Sequence, residues 1–409
     1  MANYSERQRD ILKLIEKLDI TPTMYKNADE KYHAIAKYLS DYGIKADFYP
    51  QGSFAFGTVV RPSVKDSDAA YDLDFICQVQ ETRKDIAPSE LRRKIQEALE
   101  SSDRYGGKLE VYNECFTVEY ADVSGTGFKI DIIPAADDDL KHKLDLRQRS
   151  QNPELMDTLI VIPKENGERN YGWISNNPKG FKAWFDEINR PFLENEKNRR
   201  AAIRSMNPNA YYASVEDLPD YMERTSVQRV IQILKYHRDN YYDKLSNGDD
   251  LKPISAIINM MVASISKNVS PQLDSFELLN YVLEELKIYS EYMLLSQSTF
   301  RQKYANRQVI KKDDSGKWII QNPADPEDNL ADQWNKNPMI PVTFFRWINA
   351  CSNDLFVATS KPDFEFRNAM ENAFGESTIQ RIWGEKYKNI SRPAPRPIVS
   401  NNKPYHGNA

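Results

Sequence analysis

The chain has 409 residues, more than one hydrophobic core usually supports, and its 40% hydrophobic content is enough for two folding units. A formal net charge of −5 argues against a protein that coats nucleic acid non-specifically, so no stable nucleic-acid partner is expected, and small phosphorylated substrates fit better. Three cysteines, Cys77, Cys115 and Cys351, exclude a disulfide framework and point to a reducing compartment; no zinc spacing, run of ~20 apolar residues or apolar leader occurs, so a cytoplasmic chain without a membrane segment is expected.

From Asn3 to Leu39 the pattern predicts two helices separated near Thr21-Pro22-Thr23, with Ile11, Leu12, Ile15 and Leu18 as the inward stripe. Ala46 to Tyr49 reads as a strand. The stretch from Gln51 to Val79 then combines a phosphate-gripping turn, a polar loop and an acidic strand. Gly52 and Ser53 offer a bare amide and a small hydroxyl that phosphate oxygens can approach, and Gly57 with Thr58 repeats the pairing. Leu73, Phe75, Cys77 and Val79 alternate with Asp72, Asp74, Ile76 and Gln78, so Asp72 and Asp74 share one strand face. Asp66 and Asp68 form another Asp-x-Asp pair but lack that alternation, so Asp72 and Asp74 are preferred.

Two adjacent carboxylates repel unless a cation lies between them, and an oxygen-liganded Mg2+ resolves that conflict; Mn2+ accepts the same ligands. Asp131, in the apolar run Phe128-Lys-Ile-Asp-Ile-Ile-Pro134, is the candidate third carboxylate, with Ile130 and Ile132 facing the other way.

Between these segments, Ser89 is expected to cap a helix that turns Leu91, Ile95 and Leu99 inward and Arg92, Arg93 and Lys94 toward solvent. Leu109 to Tyr120 and Gly127 to Ile133 read as strands joined by a turn at Ser124-Gly-Thr-Gly127. Asp137-Asp-Asp139 reads as a hydrated loop, Asp157 to Pro163 as a further strand, and Ser175 to Trp184 as a turn entering a helix.

From about residue 180 the strand alternation disappears. The predicted divisions are therefore 1–180, a unit of mixed helix and strand with N-terminal helices; 181–390, a helical unit; and 391–409, a mobile tail rich in Pro and Asn. Val227 to Tyr242 is a helix with Val227, Val230, Ile231 and Leu234 inward and Gln228, Gln232, Lys235 and Asp239 on a polar face. Pro253 and Ser270-Pro271 open further helices, the latter with Leu279, Val282, Leu283 and Leu286 inward. Trp318 to Trp334 is irregular, and the following helix from Pro341 to Leu355 buries Phe344, Phe345 and Trp347.

The order Gly52-Ser53, Asp72-x-Asp74 and Asp131 resembles nucleotidyltransferases of the DNA polymerase β superfamily. Gln51 with its neighbours, Tyr71-Asp-Leu-Asp-Phe75, Lys129 to Pro134, Ser175-Asn-Asn-Pro-Lys179, the helix Val227 to Asp239 and Asn322-Pro323 through Asp328-Asn329 narrow the resemblance to the bacterial cGAS/DncV-like nucleotidyltransferases (CD-NTases). The resemblance implies an α+β, two-lobed fold with a mixed-sheet catalytic lobe and a helical C-terminal lobe. It further implies an enzyme joining NTPs into cyclic di- or trinucleotides in anti-phage signalling, with operon-encoded effector or regulatory proteins as partners. By the same resemblance Asp72, Asp74 and Asp131 hold metal, Gln51, Gly52 and Ser53 grip the donor triphosphate, and Lys235 binds phosphate from the helical lobe. The alternatives are transfer to tRNA or a small molecule, or a non-catalytic nucleotide-binding protein of the same fold.

Overall fold

The computed structural model describes residues 5–61, 71–120, 127–167, 170–206, 223–305 and 307–388. Helices α1 (Glu6–Lys17) and α2 (Pro22–Asp41) start where the sequence supplies caps: Ser5 forms a capping box with Gln8, and Thr21 accepts from the Met24 amide ahead of Pro22 at the first turn. The inward stripe of α1 is Ile11, Leu14, Ile15 and Leu18; Leu12 is only half-buried, so the predicted stripe is corrected by one member.

A seven-stranded mixed sheet carries the first half of the chain. Strands β1 (Ala46–Pro50), β2 (Tyr71–Thr82), β5 (Phe128–Asp137), β4 (Phe116–Tyr120) and β3 (Leu109–Val111) lie in that spatial order, and β6 (Ile160–Glu165) joins the end of β5 and pairs with β7 (Tyr171–Asn176). Only β2 and β5 are parallel; the other pairs are antiparallel. Leu73, Phe75, Cys77 and Val79 of β2 and Ile130 and Ile132 of β5 bury against α2 and against α4 (Pro88–Glu100), as the alternation predicts. Ile76, Ile133 and Ala135 occupy the opposite face with Ile160 and Ile162 of β6. That opposite face is the one on which Asp74 and Asp131 fall.

Several local expectations are corrected. Ala87, not Ser89, is the cap of α4, because Pro88 takes the first helical position. Arg92 is not solvated: its side chain is buried, donates to the carbonyls of Tyr112 and Asn113, and stacks on Phe116 at 4.7 Å. The span Leu109 to Tyr120 is two strands, with the turn between them held by the Tyr112 amide donating to the Cys115 carbonyl. The turn at residues 121–126 lies outside the described residues. Strand β6 begins at Ile160 rather than Asp157, and β7 was not anticipated. Pro253 precedes the Ser255–Ser266 helix and Pro271 precedes the Ser275–Tyr289 helix, whose cap is Asp274 in a box with Glu277.

Asp137-Asp-Asp139 is not a hydrated loop either. Asp137 ends β5, Asp139 caps α5 (Leu140–Arg149), and Asp138 is buried between Arg83 at 3.0 Å and His142 Nδ1 at 2.5 Å. His142 Nε2 reaches Glu327 at 3.3 Å, which ties α5 to a segment from the helical part. Burial lowers the proton affinity of His142, but the bonds and charges of Asp138 and Glu327 outweigh it, so its pKa is raised. The stability this contributes is complete below the ordinary histidine value of roughly 6.5 and is lost as pH rises through the higher folded value. His142→Gln should therefore flatten the decline in Tm above about pH 6.5; thermal unfolding across pH checks this, and an unchanged slope would refute it.

From α6 (Pro178–Met206) onward the described residues are largely helical. The Ser226–Tyr242 helix, α7, is capped by a Thr225–Gln228 box and buries Val227, Val230, Ile231 and Leu234 as predicted. It is surrounded by the Ser255–Ser266, Ser275–Tyr289 and Met339–Leu355 helices, and the α1 stripe joins this same core. Phe344, Phe345 and Trp347 are core residues. The irregular stretch after residue 310 includes a small hairpin, β8 (Lys311–Lys312) with β9 (Trp318–Ile319). Among the described residues no helix is long and apolar enough to cross a membrane. The tail from residue 389 lies outside the described residues.

Candidate active site

A single rung across the sheet places the acidic residues. Asp74 on β2 and Asp131 on β5 are direct register partners in the parallel pair, and Asp131 is in turn opposite Thr117 on β4. At the other end of the rung the Gln51 amide donates to the Asp74 carbonyl at 2.8 Å, which fixes the start of the short helix α3 (Gly52–Phe56) beside the carboxylates. The predicted turn is thus the first turn of a helix, and the amides at its start have no partner within the helix.

Gly52 has a measurable reason to be glycine. Its φ is +61°, and a Cβ there would lie 2.5 Å from Asp74 Oδ2. The Asp74 carboxylate and the Gly52 backbone are therefore packed against one another, with Ser53 next along the same cavity wall.

Asp131 is half-buried, and burial raises its pKa above the ordinary value. The 2.5 Å bond donated by Thr117 Oγ1 and the charge of Lys129 oppose that rise without cancelling it. A carboxylate kept partly dry beside another carboxylate is a poor resting place for negative charge and a good one for a cation. The donors are all hard oxygens, which fits a divalent ion of the Mg2+ or Mn2+ type. Among the described residues no group of three metal-capable side chains assembles. Asp72 lies on β2 two residues before Asp74, with its backbone paired to Lys129, but its side chain is outside the described part, as are Asp66 and Asp68.

Lys235 enters from α7. Its Nζ donates to the Thr58 carbonyl at 3.1 Å and its side chain lines the same cavity as Gln51, Gly52, Ser53 and Asp74. Of the residues predicted as a polar face of α7, Gln228, Gln232 and Lys235 are buried and Asp239 only partly so: Gln228 Nε2 donates to the Phe56 carbonyl at 2.8 Å and Gln232 Nε2 to the Val59 carbonyl at 3.0 Å. With Lys235 they form a ladder that docks α7 on residues 56–59. Gly57 and Thr58 serve this ladder rather than a second phosphate grip; Gly57 has φ +65°, and a Cβ there would meet Gln228 Nε2 at 2.7 Å.

The cavity holds about 570 Å³, a volume suited to a nucleotide. Its far wall supplies residues to which the sequence assigned no site role: Asn176 at the end of β7 and Asn177 after it, Arg238 and Asp239 on α7, Ser255 and Asn259 on the next helix, and Asn322 and Asp328. Asn322 Nδ2 donates to Asp328 Oδ2 at 2.8 Å, while burial raises the Asp328 pKa. Asn259 Oδ1 is buried and has no hydrogen-bond partner among the described residues. An asparagine inside the apolar run Ile257 to Ile265 was the available signal for it, because a buried amide without a partner is costly outside a binding site. Asn177 binds the carbonyls of Leu155 and Ala324, and so holds the segment around Asn322 against the end of the sheet.

Residues 46–134 match the family described as cyclic GMP-AMP synthase DncV-like, nucleotidyltransferase domain. A c-di-GMP synthase of Roseivirga ehrenbergii is 24% identical over 360 residues, which span 86% of this chain and 80% of that protein. The CD-NTase CdnG of Bradyrhizobium diazoefficiens, solved in complex with GTP, superposes with a TM-score of 0.64 at 19% identity, covering 93% of this chain and 98% of its own. The DncV cyclic AMP-GMP synthase of Vibrio cholerae, solved with a linear intermediate, superposes with a TM-score of 0.51 at 16% identity over 91% of this chain and 85% of its own.

Proposed function

The chain belongs to the cGAS/DncV-like nucleotidyltransferases, and from that premise we propose that it is a divalent-metal-dependent synthase joining NTPs into a cyclic di- or trinucleotide signal. The observation that carries the reading is the rung that sets Asp74 beside Asp131 with Gly52 packed on the Asp74 carboxylate. Asp72, Asp74 and Asp131 would hold the ions, Mg2+ or Mn2+. When bound, these supply Lewis-acid stabilisation of charge on the acceptor oxygen and the departing pyrophosphate.

The chain's own residues do the rest. Gln51, Gly52 and Ser53 orient the donor triphosphate, and Lys235 neutralises part of its charge from the opposite wall. An acceptor ribose oxygen forms a bond to the α-phosphorus, the bond to pyrophosphate breaks, and the hydroxyl proton goes to Asp131, the carboxylate on the rung beside Asp74. Repetition of the step on the linear product closes the ring. In this reading residues 1–180 form the catalytic lobe, 181–390 the lobe that closes the cleft, and the product acts on separate effector proteins in anti-phage defence.

The test is incubation with all four NTPs and Mg2+ or Mn2+, phosphatase treatment and mass spectrometry, with Asp74→Asn as control. A phosphatase-resistant product that vanishes in the control is expected. A linear or tRNA-attached product, or nucleotide binding with no turnover under either metal, would replace this reading with transfer or pure binding.

A further inference from the structure

A second cavity of about 530 Å³ lies on the other side of the segment that walls the cleft. Asn322 lines both spaces, while Gln321, Pro323 and Pro326 line only the second. The wall is firmly held: Gln321 Nε2 donates to the carbonyls of Asp325 and Asp328, and Asn152 Nδ2 donates to the carbonyl of Pro323 at 2.8 Å. Asn322 is the one residue common to the two linings, so the cavities have otherwise different walls.

The lining of the second cavity is unusual for this chain. Acidic residues outnumber basic ones, 60 to 55, yet no Asp or Glu lines it, whereas Arg149, Lys267 and Lys311 all do. The small hairpin sorts its lysines by strand alternation. Lys312, paired with Trp318, turns to the core, where its Nζ donates to the Tyr292 carbonyl at 2.7 Å and lies 4.3 Å from the Trp318 ring centroid. Lys311, paired with Ile319, lines the cavity with that residue.

Lys311 is half-buried and makes no ion pair with any described residue. Burial, and to a lesser degree the charge of Arg301, lowers its pKa, so the ammonium is held in an environment that lacks its counter-charge. Arg149 at the mouth is shared with Asp145 at 2.7 Å and Glu327 at 3.4 Å, both of which lie outside the lining. The floor is apolar and includes Met260 and a residual edge of Trp184. Neutral polar side chains, among them Ser264, Asn268 and Gln308, complete the lining; such a space suits a ligand that brings negative charge to the cations, polar edges to the amides and an apolar part to the floor.

We propose that this cavity is a second ligand site, distinct from the catalytic cleft, for a nucleotide-sized phosphoanion, with its phosphate held by Lys311, Arg149 and Lys267 and its ring against Trp184 and Met260. Phosphate is favoured over a single carboxylate because three cations, the half-buried Lys311 and the exposed Arg149 and Lys267, line one space and a phosphate monoester or diphosphate carries more than one charge. The site needs no metal, since its counter-charges are side chains.

The test is isothermal titration of the full-length protein in EDTA with pyrophosphate, with GMP and with citrate. Pyrophosphate or GMP should bind, and affinity should fall at least about tenfold in Lys311→Gln/Arg149→Gln while Lys235→Gln leaves it unchanged. Tm and circular dichroism of the double variant establish that it is folded, and Lys311→Gln alone, which breaks no ion pair with a described residue, should already weaken binding. No binding of either phosphate probe, binding unaffected by the Lys311 and Arg149 changes, loss in Lys235→Gln, or citrate binding more tightly than both would each overturn the proposal. Product formation with Mg2+ in Lys311→Gln should match wild type. Binding in EDTA is read without turnover, so failure here leaves the synthase reading standing, and failure of synthesis leaves this site standing.

Discussion

Asp131→Asn is expected to lower nucleotide transfer by at least about 10³-fold, roughly 4 kcal/mol of barrier, while making the metal-free protein more stable. The two effects have one cause. The Asp131 carboxylate is half-buried on the rung beside Asp74, and its raised pKa records that the charged form is disfavoured there. A group with a raised folded pKa gives its full stability below the ordinary carboxylate value of roughly 3.9 and loses it as pH climbs through the folded value. At neutral pH the wild type therefore bears an unfavourable charge that asparagine lacks, and asparagine can still accept the bond from Thr117. In EDTA the variant should melt higher than wild type at neutral pH, with the gap closing below about pH 4, where Asp131 is protonated. Adding Mg2+ or Mn2+ should raise the wild-type Tm and leave that of the variant nearly unchanged. Thermal unfolding with and without metal, beside an activity assay, separates the outcomes: a variant that keeps full turnover, or that melts lower in EDTA, would refute the assignment.

Gly52→Ala should reduce synthesis by about 10²-fold or more, equivalent to some 3 kcal/mol. Its new Cβ would approach Asp74 Oδ2 to 2.5 Å, so either the carboxylate or the start of α3 must shift, and both belong to the site. The positive φ adds a backbone cost of about 1–2 kcal/mol for a non-glycine residue. Gly43→Ala provides the control, because Gly43 also has a positive φ, +103°, but a Cβ there meets nothing within 4 Å. Both variants should lose Tm through the backbone term, and only Gly52→Ala should lose activity. Equal activity in the two would show that the packing of Gly52 on Asp74 has no catalytic consequence.

The sequence by itself determined the elements whose signals are local. Alternation of Leu73, Phe75, Cys77 and Val79 defined β2 and its two faces, and helical spacing of Val227, Val230, Ile231 and Leu234 defined α7, because side-chain direction is set within one or two turns of chain. The acidic and glycine positions of the cleft were legible for the same reason: a Gly-Ser turn and carboxylates within apolar strands are conflicts that stand out in any short window.

Tertiary structure alone decided which polar groups were buried and against what. Arg92 looked like one of three solvated bases, yet its guanidinium is matched by carbonyls from a turn that the helix pattern does not contain. Gln228, Gln232 and Lys235 read as a polar face without a partner segment, and they meet the carbonyls of residues 56–59, whose sequence carries no record of that contact. Asp74 and Asp131 became partners only through the register of β2 with β5, and Lys311, which makes no ion pair among the described residues, acquired meaning only from a cavity wall built by distant segments. The physical reason is the same in each case. Hydrophobic periodicity reports which face of an element leaves water, but the hydrogen bonds and charges that satisfy a buried polar group come from whichever chain segment folding brings opposite it.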